Sequence, residues 1–132
     1  LLHLEDIKMS KSLQNTISIA ELLEKFTANQ FRLLCLLTHY RSPIEFSATA
    51  MQKSVSILKK FEYFQSDCEN YVTGNFPAGN IDSPVIQLKL EETRRNIKEA
   101  LRNDFATSTV IDELTELVGL VNRGLKPTDE KN

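Results

Sequence analysis

Residues 47–74 read SATAMQKSVSILKKFEYFQSDCENYVTG. Met51, Val55, Leu58, Phe61, Phe64, Cys68 and Tyr71 recur at steps of three or four, the period of one helical face. Seven such positions without a break predict one long helix of about seven turns. Ser47 starts it, Gly74 stops it, and Lys59-Lys60 lie on its outer face. An apolar stripe of this length on one helix needs other helices to cover it.

Moving toward the C-terminus, 75–83 carries Pro77, Gly79 and two Asn and reads as a loop. Ser83-Pro84 predicts an N-cap followed by proline at the first helical position. Val85, Leu88, Ile97 and Leu101 are the predicted inner stripe of that helix, and Phe105 follows it. Thr107 caps a last helix in which Val110, Leu114, Leu117, Val118 and Val121 face inward, ended by Gly124. Toward the N-terminus, Ile44–Phe46 is a brief extended piece, because Pro43 pushes Ser42 out of the α region. The helix before it starts at Thr27, carries Phe31, Leu34, Cys35 and Thr38, and is expected to end near Tyr40. Ser18 with Glu21 predicts a capping box opening a short helix with Ile19, Leu22, Leu23 and Phe26 on one face. Leu1–Leu4 reads as the end of a strand, and the polar stretch 5–15 as an exposed loop. The expected fold is therefore all-α, a helical bundle preceded by a loop and short helices. Its expected divisions are a front region 1–47, a helical domain 48–124 and a charged tail 125–132.

The chain has 132 residues, 41% hydrophobic and 26% charged, with four Gly and four Pro. These are ordinary values for a soluble globular domain and leave few breakers for a many-turned all-β fold. The longest apolar run, Leu33–Leu37, is too short to span a bilayer, so no membrane partner is expected. A net charge of -2 excludes a strongly basic nucleic-acid binder. Residues 1–60 hold eight basic and five acidic side chains, residues 61–132 eight and thirteen, so a polyanion site is expected in the first half. Cys35 and Cys68 are too few for a disulfide framework and read as reduced, buried thiols. The apolar start Leu1-Leu2-His3-Leu4, without Met or a basic leader, reads as a cut inside a larger protein.

Lys8-Met9-Ser10-Lys11-Ser12 carries the chemistry. Two ammonium groups on a loop ahead of a helix can close on a triphosphate as charge moves onto the leaving pyrophosphate. Serine hydroxyls and loop amides add hydrogen bonds to phosphate oxygens. Charge alone leaves a solvated basic loop as the plainer reading. Cys35 and His39 sit four apart on one predicted helix, a chelating spacing that lacks two further ligands, so no metal site is expected. Arg94, Lys98 and Arg102 could track phosphates, but Glu91, Glu92 and Glu99 alternate with them and make a solvated face the preferred reading.

The string Lys8–Ser12 resembles the KMSKS signature loop of the class I aminoacyl-tRNA synthetases. His39-Tyr40-Arg41-Ser42-Pro43 resembles the HYRSP segment of the cysteinyl-tRNA synthetases, and Leu101–Phe105 is similar to their DDFNTP stretch. The matches run in order from His3 to about Asn122. Gln14 departs from the bacterial glycine, and Ala106-Thr107-Ser108 from the usual Asn-Thr-Pro.

The resemblance implies an enzyme when intact, a ligase that activates cysteine with ATP and transfers it to tRNA(Cys). Lys8 and Lys11 would be catalytic, Lys11 with Ser10 and Ser12 would contact ATP, and His39 with Arg41 would contact tRNA. Residues 1–47 would close the catalytic part with a stem-contact-like region, and 48–124 would be a DALR-like tRNA-positioning domain. Zinc would belong to the intact enzyme, with no ligands in this stretch, and the chain alone would be inactive. The mitochondrial matrix is the expected location, a bacterial cytoplasm the alternative. Two other readings remain open: a mycothiol-pathway cysteine ligase using an amino-sugar acceptor, and a non-catalytic helical interaction module.

Overall fold

The computed structural model describes residues 2–4, 7–8, 17–75 and 79–125. In chain order these are β1 (Leu2–Leu4), β2 (Ile7–Lys8), α1 (Ile19–Lys25), α2 (Ala28–Leu36), β3 (Ile44–Phe46), α3 (Ala48–Val72), α4 (Ser83–Arg102) and α5 (Thr107–Leu125). The five helices expected from the apolar periodicity are present among the described residues. The two expected extended pieces are strands of one small sheet, and Ile7–Lys8, within the stretch expected to be loop, is its third strand, in the order β2-β1-β3. β1 runs antiparallel to β2, with His3 opposite Lys8, and parallel to β3, with Leu4 opposite Phe46. The chain divides into two compact units, Leu1–Lys59 and Lys60–Asn132.

In the first unit, local chemistry fixes where helices begin. Ser18 Oγ accepts from the Glu21 N–H at 3.1 Å, and the Glu21 carboxylate accepts from the Ser18 N–H at 3.2 Å. Thr27 and Gln30 repeat the arrangement at the start of α2. Each reciprocal pair satisfies donors that a helix start otherwise leaves open, worth about 1 kcal/mol. α2 stops at Leu36, earlier than the end near Tyr40 expected from sequence. The Leu37 N–H reaches back to Leu33, the Thr38 N–H to Cys35, and a turn from His39 to Ser42 leads into Pro43. The Pro43 restriction thus acts through a turn several residues long. Ser47 Oγ accepts from the Ala50 N–H and opens α3 as expected.

The core of this unit holds Leu22, Leu33, Leu34 and Met51, Met51 being 1% exposed. On α1 only Leu22 is buried, so the expected stripe loses Ile19 and Leu23, both exposed. On α2 the buried residue missing from the expected stripe is Leu33. Ser54, fully buried, donates its hydroxyl to the Gln30 carbonyl and so joins α3 to α2. Helix α3 has 25 residues and is about 37 Å long. Along the expected core stripe Val55, Leu58, Phe61, Phe64 and Cys68 are half-buried and Tyr71 is exposed. Gly74 ends the helix at φ 77°, the left-handed region, with the Asn75 N–H bonded to the Asn70 carbonyl at 2.9 Å. That six-to-one bond is the Schellman closure that glycine permits without a Cβ clash.

The second unit is dominated by α4 packed antiparallel on α5. The cap of α4 is Asp82 and not Ser83: the Asp82 carboxylate accepts from the Val85 N–H at 3.2 Å, and Pro84 sits one residue further in. The buried side of α4 also differs from the expected one. Val85, Leu88 and Leu101 are exposed, Leu88 by 67%. Ile97 faces inward as expected, joined by Ile86, Leu90, Thr93 and Ala100, a strict three-four alternation. Thr93 and Ala100 are the two most buried members, because small side chains let the helix backbones approach. The Thr93 hydroxyl donates to the Lys89 carbonyl at 2.7 Å, so its polar atom is satisfied within its own helix. On α5 the expected face is correct, with Ile111 and Leu125 added to Val118 as its most buried residues. The helix continues through Gly124 to Leu125 instead of ending there. Lys89 lies 3.5 Å from Glu92 and 3.2 Å from Glu116, tying the two helices together.

Candidate functional site

The residues singled out from sequence lie in the first unit. Lys8 is the last residue of β2, opposite His3 of β1. Ser10, Lys11 and Ser12 lie outside the described residues. Ten residues after Lys8, Ser18 opens α1 with its capping box. In the sequence, Lys8–Ser12 thus falls between the end of β2 and the cap of α1.

His39, Tyr40 and Arg41 form a second ordered group, on the turn after α2. The Ser42 N–H donates to the His39 carbonyl at 2.9 Å and closes that turn. The Arg41 N–H donates to His39 Nδ1 at 3.2 Å, which requires Nδ1 to carry no proton and leaves Nε2 as the donor of the neutral ring. The imidazole stacks on the Tyr40 ring, centroids 4.8 Å apart and planes 29° apart. The Arg41 guanidinium lies 5.1 Å from the Tyr40 centroid, within cation–π range. Such a contact holds an exposed guanidinium in place at a strength of about 0.5–1 kcal/mol. A guanidinium held beside a fixed imidazole N–H suits a phosphate, which accepts from planar donors in pairs. The resemblance singles out His39 and Arg41 but not Tyr40 between them, the ring that organises both. Its only signal was an aromatic residue between the two.

A recess of about 460 Å³ opens between α1, β3 and the start of α3, also unforeseen from sequence. Leu22, Phe26, Phe46 and Met51 line it, and Glu21 and Glu24 stand among the residues around it.

Two expectations about sulfur are corrected. Cys35 and Cys68 are free thiols, but half-buried and not buried. Desolvation still pushes both thiols above their ordinary pKa; for Cys68 the neighbouring Asp67 adds to it. Cys35 and His39 do not share a helix, since α2 has ended before His39. Among the described residues no three His, Cys, Asp or Glu side chains converge as metal ligands. No helix among them is long and apolar enough to cross a membrane.

Residues 1–56 match the family described as tRNA synthetases class I (C) catalytic domain. That match takes in β1, β2, α1, α2, β3 and the first turns of α3. By sequence the chain is thus related to the class I tRNA synthetases. Across nearly its whole length it is similar to one kind of them. It is 33% identical, over 99% of its residues, to a protein of Xenopus tropicalis named probable cysteine–tRNA ligase, mitochondrial. It is 32% identical over 96% of its residues to a Dictyostelium discoideum protein of the same name. With the cysteine–tRNA ligase of Carboxydothermus hydrogenoformans it shares 35% identity over 87% of its residues. The chain spans about a quarter of the length of these relatives, 23% of the first two and 24% of the third. Together the matches support a segment of a cysteinyl-tRNA synthetase.

Proposed function

We propose that this chain is the part of a cysteine–tRNA ligase that brings the signature loop to ATP and positions tRNA(Cys). The observation that carries the reading is the family match over residues 1–56, which takes in the whole Lys8–Ser12 string. In this reading Lys8 and Lys11 stabilise the charge that develops on the β- and γ-phosphates as the cysteine carboxylate attacks the α-phosphate and pyrophosphate leaves. Ser10 and Ser12 donate to phosphate oxygens. Carboxylate attack alone leaves pyrophosphate as a poor leaving group, so donors aimed at its oxygens act most strongly in the transition state. His39 and Arg41, held by Tyr40, offer paired donors to the tRNA backbone. Residues 1–47 then close the catalytic part, and 48–124 form the helical domain that sets the tRNA's position.

In this reading zinc belongs to the intact enzyme; among the described residues no three His, Cys, Asp or Glu side chains converge as its ligands. The relatives described above are all named for tRNA ligation, which favours a tRNA acceptor over an amino-sugar and a catalytic assembly over a bare interaction module. The two mitochondrial names support the mitochondrial matrix as its location.

Single-turnover cysteine activation by the ligase that carries this segment tests the reading. Lys11→Ala is expected to slow adenylate formation by roughly 100- to 1000-fold, the loss of one preorganised donor, about 2.7–4 kcal/mol. ATP affinity changes less. Lys11→Arg recovers only part of the rate, since a planar fork does not place its charge where the compact ammonium sat. An unchanged rate in Lys11→Ala would reduce the loop to a solvated basic segment. The 132-residue chain by itself is expected to show no cysteine-dependent pyrophosphate exchange.

A further inference from the structure

The second half of α4 concentrates positive charge in a part of the chain that is otherwise acidic. Residues 61–132 carry eight basic and thirteen acidic side chains, yet Arg94, Arg95, Lys98 and Arg102 fall within nine residues of one another. All four are exposed. None is held in an ion pair among the described residues, in contrast to Lys89. Arg94, Lys98 and Arg102 repeat every four residues, so they share one side of the helix at intervals of about 6 Å.

Three acids alternate with these cations in the sequence, and the structure accounts for two of them. Glu92 is drawn to Lys89. Glu99 lies about 100° around the helix from Lys98 and lines a polar recess with Asn96, Asn103 and Thr109. Glu91 remains at the N-terminal end of the row. The line from Arg94 to Arg102 is left cationic.

That line runs into the corner between α4 and α5. Asp104 and Phe105 there both adopt the left-handed conformation, at φ 52° and 54°. The corner presents Phe105 with 63% of its surface exposed and Leu101 beside it with 42%. Left-handed non-glycine residues are sparsely populated, and they cluster where a side chain must be presented for use. A row of cations ending at an exposed aromatic ring combines the two elements of single-stranded nucleic-acid binding: phosphate tracking and base stacking.

We propose that the Arg94–Lys98–Arg102 side of α4 and Phe105 form an RNA-contacting surface, the cations on successive phosphates and the ring against an unpaired base. This rests on the reading of the chain as a tRNA-handling segment and adds to it a surface outside the signature loop and the His39–Arg41 turn. An acidic protein partner would use the cations but gain little from a flat stacked ring, and the test separates the two.

The test is fluorescence anisotropy of a labelled tRNA(Cys) transcript with the 132-residue chain, across about 50–200 mM salt. Replacing both Lys98→Gln and Arg102→Gln is expected to weaken binding about tenfold at low salt. It should also flatten the log–log salt slope by about 1.4, two contacts at about 0.7 each. Phe105→Ala is expected to weaken binding roughly tenfold with the slope unchanged, and Phe105→Tyr to retain it. Lys53→Gln, exposed on α3 in the other unit, leaves both quantities as they are. Far-UV circular dichroism of each variant shows that the helices persist. Wild-type affinity in both the Lys98/Arg102 double variant and Phe105→Ala would overturn the proposal. So would displacement of the RNA by polyglutamate with Phe105→Ala without effect, which marks an acidic-protein surface. Adenylate formation needs no tRNA, so the Lys11 measurement stands or falls separately.

Discussion

Asp104→Gly is expected to stabilise the α4–α5 unit. Asp104 is an exposed residue with a left-handed backbone, φ 52°, and Phe105 follows it at 54°. An L-residue there sets its Cβ against the following carbonyl at a cost of about 1–2 kcal/mol, with Asp toward the low end because it bonds locally. Glycine removes that clash but adds unfolded-state freedom worth about 0.4–1 kcal/mol. The net gain is about 0.5 kcal/mol. In a unit covering residues 60–132 this raises the thermal midpoint by about 2–4 °C. Asp104→Ile works in the opposite direction, since a β-branched residue is a genuine outlier in this region, and it lowers the midpoint by about 4–8 °C. At Phe105 the terms nearly cancel: Phe105→Gly relieves the clash but gives up freedom and the partial burial of the ring, leaving stability close to unchanged. Thermal melts followed at 222 nm compare the three variants with the parent chain. A lower midpoint for Asp104→Gly, or an unaltered one for Asp104→Ile, would refute the claim that the corner is strained.

Ser54→Ala removes the bond from α3 to the Gln30 carbonyl and is expected to cost about 1 kcal/mol in a denaturant titration. Ser54→Leu, which forces three extra carbons into a fully buried site, costs about 1–3 kcal/mol by the same measurement. The Lys89 ammonium is held above its ordinary pKa by its hydrogen bond to Glu116, with Glu92 adding to it. Its contribution is therefore complete below pH 10.5 and is lost as pH rises through the raised value; Lys89→Met should abolish this alkaline decline in melting temperature. Cys35 and Cys68, their thiols pushed above the ordinary 9.0, should alkylate with iodoacetamide more slowly at pH 8 than a free thiol, and their rates should level off at a higher pH than a free thiol's.

What could be read in advance followed from local chemistry. Ser18 with Glu21, Thr27 and Gly74 each act within a few residues of themselves, and each lies where the sequence implied. Asp82 and Ser83 are adjacent and both able to cap, so only the geometry of the turn separated them. The α4 seam departs from the apolar pattern, whose bulk marks Val85 and Leu88. The interface is set instead by how closely two backbones approach, which selects Thr93 and Ala100. Helix α2 ended early because the turn at His39–Ser42 needed room that a local reading of Pro43 did not provide. For the candidate site, spacing gave two lysines on a loop and nothing sharper; the identity of the chemistry came from resemblance. The Tyr40 stack was illegible because a ring between two charged residues has no periodic signature.

The parallel pairing of β1 with β3 bears on the order in which this chain folds. It joins Leu2–Leu4 to Ile44–Phe46, so the two strands meet only when a loop of roughly 40 residues closes. The length-dependent part of that closure costs about 3 kcal/mol, before a ladder of three residues a side has returned anything. Helices α1 and α2 lie within the loop, and each starts at its own capping box, so they can nucleate without it. Once formed they shorten the stretch to be closed. The sheet, and Lys8 with it, is then the last piece of the first unit to assemble, after the helices behind it are built.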